Sequence, residues 1–188
     1  MKSIQTIILG LIMFSFCSAH AAGGTDVGVL FGMKNATFKD DSTAGTDFKT
    51  KTGFMGGVVA IGEMGGMLFR TGAYYASRAT EIKTTPNLEL TIATIDVPVT
   101  LMYSFNDMLS MFGGAVFALK VSDDCTGDAT ICNTVSDDIE SFHTAATIGL
   151  NAKFHPNWSG EVSYEYGLSD IAKDTSMSSI SLGAIFIY

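Results

Sequence analysis

Met177-Ser-Ser-Ile-Ser-Leu-Gly-Ala-Ile-Phe-Ile-Tyr188 ends the chain on strict alternation. Successive side chains of a strand point to opposite faces, so Ile180, Leu182, Ala184, Phe186 and Tyr188 share one face and Ser179, Ser181 and Gly183 share the other. The last residues of a soluble domain usually fray in water. An end this rich in large apolar groups needs an apolar medium or a partner sheet to cover it. An edge strand of a secreted β-sandwich would also satisfy the stretch, so the rest of the chain has to decide.

Upstream, seven more segments read as strands: 26–38, 53–62, 67–81, 89–105, 108–121, 140–154 and 158–168. The clearest carries Ile95, Val97, Val99, Leu101 and Tyr103 opposite Thr94, Asp96, Pro98, Thr100 and Ser104. In the first, Val27, Val29, Phe31 and Met33 oppose Gly28, Gly32 and Lys34. The second, with Phe54, Val58, Val59 and Ile61 among glycines, does not reveal its faces. Tight turns are expected at Glu63–Gly66, Asn106-Asp107 and His155–Asn157, with longer polar connections between the other strands. Pro98 removes a ladder hydrogen bond, so a bulge is expected beside it.

Transmembrane barrels join an even number of antiparallel strands by short turns on one side and longer loops on the other. This pattern predicts an all-β, eight-stranded antiparallel up-and-down transmembrane β-barrel. Tyr103, Phe105, Phe154, Trp158, Phe186 and Tyr188 all lie beside short turns or the terminus, where an interfacial girdle belongs. The competing architecture is a soluble, secreted, lipocalin-like ligand-binding barrel, in which the apolar face points inward. The faces that carry Arg70, Asp96, Lys120, Lys153, Glu161 and Glu165 are otherwise Ser, Thr and Gly. That is sparse charge for a watery surface but suits a narrow bore filled by side chains. An Arg70–Asp96 ion pair is therefore expected inside, with Lys120, Lys153, Glu161 and Glu165 extending the network, since unpaired charges there would be costly.

The start reads as a signal peptide over residues 1–21: Lys2, an apolar run from Ile7 to Phe14, then Ala19-His20-Ala21. Residues 22–188 form the expected barrel domain. Loss of Lys2 takes the formal net charge from −8 to −9, which argues against nucleic acid as a partner. Cys125 and Cys132 share one polar loop of an exported chain and are expected to form a disulfide. No cofactor is implied, and the cysteines have no nearby histidine to make a zinc site. The connections carry Asp40, Asp41, Asp47, Asp123, Asp124, Asp128, Asp137 and Asp138, for which solvation is the simpler reading and divalent bridging to lipopolysaccharide the sharper one. His143 with Ser141, both placed inward near the outer end, is the best enzymatic candidate, for lipid A modification, but no third orienting residue accompanies it. A non-enzymatic protein is expected.

The runs Gly53-Phe54-Met55-Gly56-Gly57-Val58 and Ile95-Asp96-Val97-Pro98-Val99-Thr100-Leu101-Met102-Tyr103, with Gly113-Gly114, resemble the outer-membrane β-barrel domain of the small porin-family proteins, a superfamily similar to the OmpX and OmpA barrels. Ser181-x-Gly183-x-x-Phe186-x-Tyr188 resembles the carboxy-terminal signal that barrel-insertion machinery recognises, which makes Gly183, Phe186 and Tyr188 the insertion-signal residues. The resemblance implies a bacterial outer-membrane location, outer-membrane lipid and lipopolysaccharide as surroundings, and a closed polar interior. It implies a structural or surface-interaction role, with loops 39–52 and 122–139 open to a surface ligand.

Overall fold

Pairing of the last strand with the first closes the sheet on itself. The computed structural model describes residues 24–40, 48–64, 67–82, 88–127, 132, 139–171 and 175–188. They form β1 (Asp26–Asp40), β2 (Phe48–Met64), β3 (Met67–Ile82), β4 (Leu88–Ser104), β5 (Leu109–Thr126), β6 (Phe142–His155), β7 (Trp158–Gly167) and β8 (Thr175–Ile187). These eight strands make a closed barrel in chain order. β8 pairs with β1 from Gly28↔Ile187 to Asp40↔Thr175, which leaves no open edge. Among the described residues no helix is long and apolar enough to cross a membrane. The proposed signal peptide lies outside the described residues.

The faces decide between the two barrel types. Leu101 (46 %) and Ile148 (54 %) are exposed on the outside, while Arg70 (2 %), Asp96 (1 %) and Glu165 (7 %) are enclosed. A soluble ligand-binding barrel would have these reversed. In β8, Ser179 and Ser181 point inward and Ile180 and Leu182 outward. β2, unassigned from sequence, turns Phe54 and Val58 outward and Met55 and Val59 inward. Its glycines let strands approach: a Cβ at Gly57 would stand 2.1 Å from the Ala73 carbonyl oxygen of β3.

Two belts of aromatic side chains bound the apolar band. Near the short turns, Trp158 contacts Phe186 at 5.0 Å and Phe31 at 6.1 Å, Phe186 meets Tyr188 at 5.4 Å, and Tyr103 meets Phe105 at 5.4 Å. Further along the strands, Phe54 stacks on Tyr75 at 5.6 Å and Phe117 on Phe142 at 6.4 Å. β7, with 10 residues, has about the nine to eleven that a tilted strand needs to cross the hydrocarbon core. β2 has 17 and β5 has 18, so these strands run well past it on the side away from the short turns.

That overhang corrects the expected boundaries, because β2 starts at Phe48 and β5 continues to Thr126. Residues 39–40, 48–52 and 122–126 of the expected loops 39–52 and 122–139 belong to paired strands. Above the apolar band neither face meets lipid, so polar residues form the ladder and look like a loop in sequence. Thr37 and Thr50 hydroxyls pair at 3.1 Å, Lys51 meets Glu89 at 2.7 Å and Lys49 meets Glu81 at 3.7 Å. The bulge expected at Pro98 is not there. The β3–β4 register is the same at Thr71↔Val99 and Tyr74↔Asp96, on either side of the proline. The irregularity falls between Ala93 and Thr94, against β5, and Thr71 instead donates its hydroxyl hydrogen to the Pro98 carbonyl at 2.9 Å.

The short turns are locked by side chains. Asn106 Oδ1 accepts from the Met108 and Leu109 amides at 2.9 and 2.8 Å. Asn157 Nδ2 donates to the Ile187 carbonyl at 2.8 Å, tying the β6–β7 turn to the end of β8. Ile148→Lys, which places an ammonium on the lipid face, should cost about 2–4 kcal/mol in urea unfolding from vesicles. Thr50→Lys, above the band, should be close to neutral in the same titration.

Candidate functional site

The candidate site is the enclosed interior. Inward positions of β1, β3, β4 and β7 deliver Lys34, Arg78, Asp96 and Glu165 to one level of the bore. Lys34 Nζ lies 2.9 Å from Asp96 Oδ2 and 2.7 Å from Glu165 Oε2. Arg78 Nη2 lies 2.6 Å from the same Asp96 oxygen and 3.7 Å from Glu165. Arg78 also donates to Thr94 Oγ1, whose hydroxyl donates to Asp96 Oδ1 at 2.6 Å. Ser179 donates to Glu165 Oε2 at 3.0 Å. Two cations thus face two carboxylates, and hydroxyls fill the remaining lone pairs.

A second layer lies toward the short turns. Arg70 Nη1 stands 2.7 Å from Glu161 Oε2, and Nη2 donates to Glu161 Oε1 and to the Tyr74 hydroxyl, both at 3.1 Å. Its guanidinium carbon sits 4.7 Å from the centre of the Phe112 ring, a cation–π contact that desolvation strengthens. The cavity bounded by Arg70, Tyr74, Phe112, Thr147, Glu161 and Glu165 measures about 20 Å³, room for one water molecule. Leu30, Met55, Val59, Ala76 and Ile185 pack with Tyr74 on the β1–β2–β8 side of the bore. Beyond them a vestibule of about 380 Å³ opens at the end that carries the short turns.

The expected Arg70–Asp96 pair does not form. Arg70 lies opposite Thr100 in the β3–β4 register, and Asp96 lies opposite Tyr74, so Glu161 takes Arg70 and Arg78 takes Asp96. Lys34 and Arg78 complete the network although neither was among the expected members. Lys120 stays outside it: its ammonium is 3.2 Å from Asp123 and donates to the Ile139 carbonyl at 3.1 Å. Lys153 is exposed and lines the vestibule, because it sits where β6 leaves the barrel. Cys125 and Cys132 are joined. Ser141, one residue before β6, is exposed while His143 is enclosed. Asp41, Asp47, Asp128, Asp137 and Asp138 lie outside the described residues.

Residues 18–173 match the family described as the outer membrane protein beta-barrel domain. The chain belongs to that family. Its place is the bacterial outer membrane, and β8, past the end of the match, completes the family's barrel here by pairing with β1. No curated protein matches the sequence. Among solved structures, Neisserial surface protein A is 14 % identical, with 88 % of this chain and 99 % of that one covered and a TM-score of 0.54. Ail of Yersinia pestis, in a phospholipid bilayer nanodisc, is 16 % identical, with 88 % and 100 % covered and a TM-score of 0.50. At these identities the likeness to these outer-membrane proteins is one of fold.

Removing one partner of a buried pair strands the other charge, at about 3–5 kcal/mol. Glu161→Gln should therefore lower stability in urea by about that much, and the double change Arg70→Met with Glu161→Met should recover most of the loss. Asp96→Asn, which leaves Lys34 and Arg78 with only Glu165, should cost at least as much as Glu161→Gln in the same measurement.

Proposed function

We propose that this outer-membrane barrel has a structural and surface-interaction role, presenting the segments 39–52 and 122–139 to ligands and to the surrounding lipopolysaccharide while passing no solute. The observation that carries this reading is the filled bore. Balanced ion pairs and apolar clusters pack across it, and the cavity between the charged layers is the size of one water molecule. A conducting pore needs a continuous wet path, whereas an eight-stranded barrel is just wide enough for side chains to fill.

The reading is non-enzymatic, supported by the different settings of enclosed His143 and exposed Ser141 and by the lack of a third orienting residue beside them in sequence. Insertion is assigned to the end of β8. Gly183 faces inward there, 3.1 Å from a Met55 methyl if it carried a Cβ, and the Phe186 ring meets Trp158 at a tilt and Tyr188 edge-on. That aromatic edge is what insertion machinery would meet on the nascent barrel. The first segment is accompanied by Lys49 and Lys51, cations suited to lipopolysaccharide, each already near a carboxylate.

In planar bilayers the purified barrel should give no steady single-channel steps, and Asp96→Ala should create none without first unfolding the protein. Regular steps in the native barrel, altered by Asp96→Ala, would overturn the closed reading. Protease added to intact cells should cut within 39–47 or 128–138 and spare the turn at residues 104–109. Cleavage at that turn would reverse the orientation.

A further inference from the structure

One apolar cluster lies at the outer mouth, beyond the charged layers. Ala36 and Phe38 of β1, Leu90 and Ile92 of β4, and Met177 of β8 pack there with Ile139 and Ile171, which belong to the β5–β6 and β7–β8 connections. β1 and β4 stand three strands apart around an eight-stranded barrel, so side chains from both in one cluster reach across the bore. Ile139 and Ile171 fill its middle, and both are buried.

Hydrogen bonds hold the two connections down. Glu140 donates its amide to the Ile171 carbonyl at 2.8 Å, and Ile171 donates to the Thr175 carbonyl at 3.0 Å. Lys120 grips the other connection twice, its amide to the Ser141 carbonyl at 2.9 Å and its ammonium to the Ile139 carbonyl at 3.1 Å. Cys125 packs against the cluster and, through its disulfide with Cys132, against Leu88 as well. A partly apolar lid built from two connections needs such ties, because each isoleucine alone would lose backbone entropy on ordering.

We propose that Ile139 and Ile171 form a hydrophobic lid, held by Lys120 and latched by the Cys125–Cys132 disulfide, and that this lid is the first barrier to solutes from outside, above the charged layers that fill the bore. Lys120, drawn away from the interior network, has this as its task. The charged layers neutralise one another and shape the bore; the lid keeps outside water from them.

Ser181 provides the probe. It lies opposite Lys34 in the β1–β8 register, two inward positions along β8 from Met177 of the cluster with Ser179 between, and its buried hydroxyl has no hydrogen-bond partner among the described residues, so Ser181→Cys disturbs little. In intact cells a small charged methanethiosulfonate should not label S181C while the lid is native. Adding Ile139→Ala with Ile171→Ala, or separately Cys125→Ser with Cys132→Ser, should raise the labelling rate at least tenfold, with heat-shifted gel mobility retained as proof of a folded barrel. Rapid labelling beneath a native lid overturns the proposal. So does an unchanged rate in both folded lid variants, or a rise only when Lys34→Met and Glu165→Met remove charges from the layer below.

Discussion

Charge balance inside a closed wall governs this molecule. Lys34, Arg70 and Arg78 are matched by Asp96, Glu161 and Glu165 in a bore too narrow to hydrate them separately. Any one of these ions alone would be expensive to enclose, and together they repay that expense only if every strand keeps its register. A slip of one residue would turn Asp96 or Glu165 toward lipid and Ile148 or Leu101 into the bore. The ion pairs therefore specify the barrel more than they add to its stability, and the alternating outward face supplies the drive to insert.

Much of this was legible in the sequence. A period of two, an aromatic at the end of β8 and long connections alternating with short ones fix the strand number, the closed sheet and which face of β8 looks outward. Alternation already put Lys34 on the face of the inward glycines, and Arg78 shares strand parity with Arg70, so it could have been placed in the bore the same way. Their partners could not be found that way. Pairing depends on the stagger between strands and on the reach of long side chains: Arg78 sits opposite Ile92 in the β3–β4 register yet reaches Asp96. The overhang of β2 and β5 was hidden for a different reason. Once a strand leaves lipid, its outward residues become polar and the contrast that marks a membrane strand disappears.

The interior also changes character along its axis. Hydroxyls, guanidiniums and carboxylates fill its middle, with an apolar wall on the β1–β2–β8 side and an apolar cluster above them at the outer mouth. Ion pairs set among these apolar groups are shielded from bulk water, which strengthens their attraction and raises the cost of separating them. Phe112 against Arg70 and Thr94 against Asp96 show how neutral neighbours complete what the opposite charges begin.

The overhanging ladder has a consequence for whatever meets the cell from outside. Thr37, Thr50, Lys51 and Glu89 come from three different strands, yet they sit together on one parapet. An antibody or phage that grips this parapet reads a composite epitope rather than a peptide. Such recognition survives sequence change in the connections but is lost when boiling takes the barrel apart.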